Sequence, residues 1–149
     1  MTFVAENLSP HPEGGHFREV YRSAESVTDA RKTQKSALTH IYFSLAKGEV
    51  SRFHRVEQEE VWNLYRGGLR LWILNPENGE LQSLELSESE NQFCAVIPPG
   101  HWQAAEVIGQ EVLVGCTVAP GFDFSDFELI HAGHPLCPPI REAGLAHLL

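Results

Sequence analysis

Apolar and polar residues alternate through the middle of the chain. Thr39, Ile41, Phe43 and Leu45 fall on one side of an extended backbone, and His40, Tyr42 and Ser44 on the other. A period of two marks a strand with one buried face. Runs of similar character follow at 50–54, 61–65, 69–74, 81–86, 93–97, 103–107 and 111–118. Residues 75–80 carry Asn75-Pro76 and Asn78-Gly79, dipeptides that favour tight turns. Many short strands with closely spaced turns predict a sandwich or barrel, not an α/β fold. Residues 8–23, with Pro10, Pro12, Gly14 and Gly15, read as a structured arm leading into a strand. Residues 24–36 are polar and unpatterned and predict an exposed loop. The tail from 135 predicts a short helix at 140–149. There is no internal repeat and no linker, so one domain is expected over residues 1–149.

Composition narrows the class. A chain of 149 residues with 42% hydrophobic content can bury a core without disulfides. Lys plus Arg is 11 against 20 Asp plus Glu, a net charge of −9. Such a surface repels phosphate backbones and anionic lipids, which argues against nucleic acid and membrane partners. Cys94, Cys116 and Cys137 are odd in number and lack a Cys-x-x-Cys spacing, so a reducing, cytoplasmic location is expected. Cys94 and Cys116 lie in apolar runs and read as core residues. The first residues lack a basic region followed by an apolar run, so no signal peptide is expected. No apolar stretch reaches the ~18 residues that a spanning helix needs.

The candidate chemistry sits in one spaced pattern, Gly48, His54, Glu60 and Gly67, followed by Pro98, Gly100 and Gln103. An imidazole and a carboxylate suit Mn²⁺, Fe²⁺, Ni²⁺ or Zn²⁺, with the Gln103 amide oxygen as a weaker third ligand. The same His54 and Glu60 equally fit a buried hydrogen-bonded pair that holds two strands. Gly48 and Gly67 mark positions where a strand turns sharply. Glu13, Tyr21 and Arg22 place polar groups in the arm that can reach a pocket ligand, and Trp102 beside Gln103 is a further ligand contact. Trp62 and Trp72 read as core. Phe122, Phe124 and Phe127 read as packing a C-terminal segment onto the barrel or a neighbouring subunit. His40 and His101 are expected to face outward, and His131 and His134 to be exposed.

These residues resemble the two-part cupin signature. The match holds at Gly48, His54, Glu60, Gly67, Pro98 and Gly100. It departs at Val56 and Gln103, where the family pattern has imidazoles, and at Gln92 and Val107, where it has Gly and Asn. The blocks at 8–23, 53–67, 96–105 and 114–129 are similar to the small stand-alone cupin-like family of bacteria and fungi with an RmlC-like jelly roll. That resemblance implies an all-β double-stranded β-helix, the cupin jelly-roll barrel, with an N-terminal arm and a short C-terminal tail. It also implies a homodimer or higher homo-oligomer. Three functions are expected. The first is a metal-independent epimerase or isomerase on a sugar-like or polyol substrate, with His54 as base and Tyr21 or Tyr65 as acid. The second is an oxygenase or isomerase holding one divalent transition metal at His54, Glu60 and Gln103, weakened by the missing imidazoles. The third is a non-catalytic metabolite-binding protein.

Overall fold

In the computed structural model, which describes residues 7–149, the short runs fuse into fewer and longer strands. The expectation about a signal peptide rests partly on residues 1–6, which lie outside the described residues. The arm forms β1 (Ser9–Pro10) and β2 (His16–Arg22). Then come β3 (Ser26–Thr28), β4 (Gln34–Ser36), β5 (Thr39–Ala46) and β6 (Val50–Val56). Two expected pairs of strands are each a single strand: β7 (Glu59–Leu74) and β10 (Trp102–Ala119). Between them lie β8 (Leu81–Ser87) and β9 (Cys94–Ile97). A 3-10 turn at Phe124–Asp126 leads into β11 (Phe127–Leu129), and the chain closes with α1 (Cys137–Glu142) and a 3-10 turn at Ala146–Leu148.

The long pair β7 and β10 runs antiparallel from Glu59 opposite Ala119 to Leu74 opposite Trp102. The ladder breaks in the middle, where Gly67 faces Val112 but Gly68 faces Ile108, so residues 109–111 are looped out. Gly67 is in the left-handed region at φ 78°, and a Cβ there would overlap the Glu111 carbonyl oxygen. A bulge that only glycine fits bends both strands at this point. Each half then pairs outward with different strands. The second half of β10 pairs β5, which pairs β2, and the first half of β7 pairs β9. The first half of β10 pairs β6, which pairs β11, and the second half of β7 pairs β8. The result is the expected jelly roll, two antiparallel layers made from one curled sheet.

Alternation assigns the faces. Phe43, Leu45, Trp62, Leu71, Val114 and Cys116 point inward and form the main core. On the outer side of the second layer, Phe53, Trp102 and Ala104 pack beneath Ile140, Leu145 and Leu148 of the tail. Burying a large side chain contributes about 1.5–3 kcal/mol, which explains why the tail stays docked. His40 faces outward as expected, with Nδ1 at 2.8 Å from Thr117 Oγ1 and Nε2 at 2.8 Å from the Tyr65 hydroxyl.

Three expectations change. The helix lies at Cys137–Glu142, earlier than 140–149, because Pro138 and Pro139 suit the first turn of a helix and the backbone turns at Gly144, φ 82°. Cys94 is exposed, since it alternates with the buried Ala95 on the edge strand β9. Residues 24–36 are not a loop but the β3–β4 hairpin. Buried Asp126 holds that hairpin: Arg31 Nη2 approaches its Oδ1 at 2.5 Å, and Lys35 Nζ and Gln58 Nε2 approach Oδ2 at 2.9 and 2.7 Å.

The arm depends on Gly14, which has φ 114° and whose added Cβ would overlap the Val50 carbonyl oxygen. Its neighbour Glu13 accepts the Arg52 amide proton at 2.8 Å, which fixes the arm against β6. Gly14→Ala is expected to lower stability by about 2 kcal/mol or more. Gly79→Ala, also at positive φ but in open space, should cost less. Melting temperatures of the two variants check this, and equal losses would mean that the close approach of the arm is not a constraint.

Candidate functional site

A cavity of about 490 Å³ is lined by the arm, the inner faces of β2, β5, β6, β7 and β10, and the 122–127 segment. Its polar groups come from short-range features of the fold. Gly14 and Gly15, both at positive φ, turn the chain so that His11 and Glu13 are buried against β6. The period of two on β6 turns His54 and Val56 inward with Phe53 outward. On β7 the same period turns Glu60 and Trp62 inward and leaves Glu59 exposed.

Two hydrogen-bonded groups result. In the first, Trp62 Nε1 donates to Gln103 Oε1 at 2.7 Å, and Gln103 Nε2 donates to Glu60 Oε1 at 2.8 Å. An indole only donates, so Trp62 fixes which end of the Gln103 amide faces Glu60. In the second, Glu13 is central. Its Oε2 meets the Ser51 hydroxyl and lies 3.0 Å from His54 Nδ1. Its Oε1 lies 3.1 Å from His11 Nδ1. His54 Nδ1 is also 2.7 Å from the Arg52 carbonyl, which can only accept. His54 Nδ1 therefore carries the proton, and Nε2 is left as the ring's acceptor. His11 Nδ1 accepts the Glu13 amide proton at 3.2 Å. It faces a carboxyl that burial keeps protonated.

Desolvation sets the charge state of all four. Burial lowers His54 to about 3, with the nearby His11 adding to the effect and the Arg52 carbonyl opposing it. Burial lowers His11 to about 4. The same cause pushes Glu60 up to about 7 against the Gln103 and Cys116 hydrogen bonds. It raises Glu13 well above the carboxylate range against the Ser51 hydrogen bond. Close approach of His54 and Glu13 looks like an ion pair, but loss of hydration disfavours the charged form of each, and the neutral pair results.

The opposite wall is aromatic. Phe122, Phe124 and Phe127 pack edge to face, with centroids 4.8 Å apart for the first two and 6.0 Å for the last two. Phe127 stacks on His54 at 5.6 Å and 27°. These rings line the cavity, a role that the sequence reading assigned to packing alone. At the rim, Arg22 Nη2 donates to Glu19 Oε1 at 2.6 Å and to the Phe122 carbonyl at 3.0 Å.

Of the residues singled out from sequence, Glu13, Arg22, His54 and Glu60 meet at the cavity. Gln103 is fully buried behind Glu60, which it contacts without lining the space. Tyr21 and Tyr65 do not line it; Tyr21 is exposed and Tyr65 bonds His40 on the outer face. Trp102 does not line it either. It follows Gln103's inward position by alternation and so faces the tail, with Arg55 over its ring at 5.2 Å. His11 and the three phenylalanines were missed. His11 belongs to the His-Pro-Glu-Gly-Gly turn, whose glycines were the available signal.

The residues matching the cupin signature do not make a ligand set for a metal ion. Val56 has no donor atom, and the Gln103 oxygen is committed to Trp62. Among the described residues, no group of three or more His, Cys, Asp or Glu side chains is placed to share an ion.

The sequence pattern "Cupin superfamily (DUF985)" matches residues 3–130. The chain belongs to the cupin superfamily. A Shewanella oneidensis protein of 33% identity superimposes with a TM-score of 0.82, over 95% of this chain and 90% of that one. A hypothetical protein from Leishmania major, 26% identical, gives 0.80 over the same shares. Oxalate decarboxylase from Bacillus subtilis shares the cupin fold, with a TM-score of 0.62 at 16% identity over 91% of this chain and 34% of the decarboxylase. No protein of curated function matches the sequence. Among the described residues, no helix is long and apolar enough to cross a membrane.

Glu60 gives this cupin a pH signature. Its folded pKa is about 7 and its ordinary value 4.5. Between these values the folded state binds more protons than the unfolded state, so stability falls as pH rises through the window. The change is on the order of 3 kcal/mol. Glu13 acts in the same direction. His54 and His11, both lowered, act oppositely: their contribution is present above 6.5 and is lost as pH falls. Glu60→Gln removes the Glu60 contribution and weakens that of Glu13, which Glu60 helps to raise. Its stability relative to the parent should increase between pH 5 and pH 8, as read by denaturant unfolding. A difference that does not change with pH would show Glu60 to be ionised throughout.

Proposed function

We propose that this cupin is a metal-independent acid–base enzyme of the isomerase or epimerase type, with Glu60 as the proton acceptor and Glu13 as the proton donor. The observation that carries the reading is Glu60: a buried carboxyl at the cavity wall, poised near 7 and oriented by the Gln103 amide. A general base works best with a pKa near the working pH. His54, lowered to about 3, is too weak a base for the role that the signature suggests, and its ring instead positions Glu13. Two carboxyls whose environments separate their pKa values divide base and acid between them. Glu13 and Glu60 are such a pair, and the proximity of Glu60 is one of the causes that raise Glu13.

In the step envisaged, the Glu60 carboxylate takes a proton from a carbon of the bound molecule. The electron pair left behind moves onto an adjacent acceptor atom of that molecule, which takes a proton from Glu13. Glu60 then returns its proton to the neighbouring carbon while Glu13 recovers a proton from a heteroatom of the molecule, which completes an isomerisation with no net change in atoms or charge and restores both carboxyl groups. The Phe122, Phe124 and Phe127 wall gives the reacting carbon an apolar contact. Tyr21 and Tyr65 have no part in this scheme.

Incubation in D₂O with small metabolites, followed by NMR, tests the proposal. The protein should wash deuterium into a carbon position of its substrate. The rate should rise with pH through about 7 and level off above, as expected for a base that must be deprotonated. Glu60→Gln should lower the exchange by about 10²-fold or more. A compound that binds in the cavity but never exchanges would leave a non-catalytic binding protein instead.

A further inference from the structure

Glu60 is only 7% exposed, and no Lys, Arg or His of the protein pairs with it among the described residues. Buried carboxylates are normally matched by a cation. The rest of the cavity supplies none. Among the described residues its lining holds four carboxyl groups, on Glu13, Glu19, Glu60 and Asp123, against one guanidinium, that of Arg22. Arg22 is already engaged by Glu19 at 2.6 Å and by the Phe122 carbonyl. Lys35 is bound to Asp126 at 2.9 Å and lies 3.7 Å from Asp123. His11 and His54 are neutral for the reasons given above.

The second wall is suited to the same kind of ligand. The rings of Phe122, Phe124 and Phe127 stand roughly perpendicular to one another, at 82° and 72° for adjacent pairs, so they present both faces and edges to the space. Aromatic faces attract organic cations. A chain with a net charge of −9 raises the local concentration of cations further.

We propose that the cavity takes a small organic amine in its ammonium form, with the cationic nitrogen at Glu60 and the apolar part against Phe122, Phe124 and Phe127. This rests on the cavity being the functional site, and it narrows the substrate class of the proposed enzyme: the carbon that loses its proton to Glu60 is the one that bears the nitrogen. An anionic ligand is disfavoured because it would meet Glu60 with no free positive group to offset it, since Lys35 is shared by Asp126 and Asp123 and Arg22 is held by Glu19. A neutral sugar or polyol would leave the Glu60 charge unmatched.

Three probes of nearly equal size and shape separate these cases: benzylamine, benzyl alcohol and benzoate. Their binding is measured calorimetrically at pH 8, and the site is located by competition and by NMR shifts at the cavity residues. Benzylamine should bind at least tenfold more tightly than benzyl alcohol, and benzoate should not bind. Glu60→Gln should remove the preference for benzylamine over benzyl alcohol. Equal or tighter binding of benzyl alcohol or benzoate at the cavity would overturn the cation inference but keep the cavity as a binding site. Absence of binding by all three at millimolar concentration would overturn both. The probe series on the parent protein decides the matter even if Glu60→Gln folds poorly.

Discussion

The pairing of β7 with β10, bent at Gly67, is the constraint on which the other features depend. One long antiparallel ladder interrupted by a three-residue bulge becomes two half-ladders in different layers. Each half supplies a central strand for its layer, and the remaining strands add to the outer edges of that pair. The bend is also what brings distant polar groups together. Glu60 and Trp62 lie in the first half of β7, and Gln103 lies in the first half of β10, which belongs to the other layer. Their hydrogen bonds therefore cross the interior from one layer to the other. A flat sheet of the same sequence would leave them on separate parts of one surface.

The same closure creates the electrostatic character of the site. Sheet layers that exclude water penalise whichever form of a side chain is charged, so acids rise and bases fall together. His11, Glu13, His54 and Glu60 all respond in this sense. They do not form a charged network with offsetting attractions. His11, Glu13 and His54 form a neutral one and Glu60 stands between its two states near neutrality, all held by Ser51, the Arg52 carbonyl and the Gln103 amide. Retaining four titratable groups in such a place lowers stability at both ends of the pH range, which is hard to understand if the groups serve the fold alone. Apolar residues at these positions would pack the barrel without that cost.

The jelly roll was legible in the sequence because its signals are local: alternation along 39–45, the Asn75–Glu80 turn, and the glycines at 48 and 67. His54 and Glu60 were legible for the same reason. What failed depends on geometry between segments. Trp102 and Gln103 are neighbours in sequence, but the strand sends them to opposite faces, and only the location of the C-terminal tail reveals which face carries the cavity. Tyr65 shares a short stretch with Glu60 yet, five positions on, lies on the other side of β7. Residues 24–36 have little hydrophobic pattern because their hairpin is held by an ion pair to Asp126, ninety positions away from Arg31 and Lys35 in round terms. The phenylalanines at 122, 124 and 127 looked like ordinary packing, since an aromatic cluster has the same composition whether it fills space or lines it.

The departures from the cupin signature gain a meaning from this geometry. Replacing two imidazoles with Val56 and Gln103 does more than subtract ligands. An imidazole at position 103 would offer a lone pair to the interior. Gln103 instead accepts from the Trp62 indole and turns its N–H toward Glu60. That N–H and the Cys116 thiol stabilise the Glu60 carboxylate against the desolvation that raises its pKa, and the balance brings the group to about 7. Without Gln103 the carboxyl would be held protonated; with a cation in its place it would be held ionised. The amide is the intermediate choice, and it leaves a carboxyl that can change state near neutrality inside a cavity whose one guanidinium is already occupied. The substitutions thus replace two imidazole positions with a side chain that has no donor atom and an amide that bridges Trp62 and Glu60.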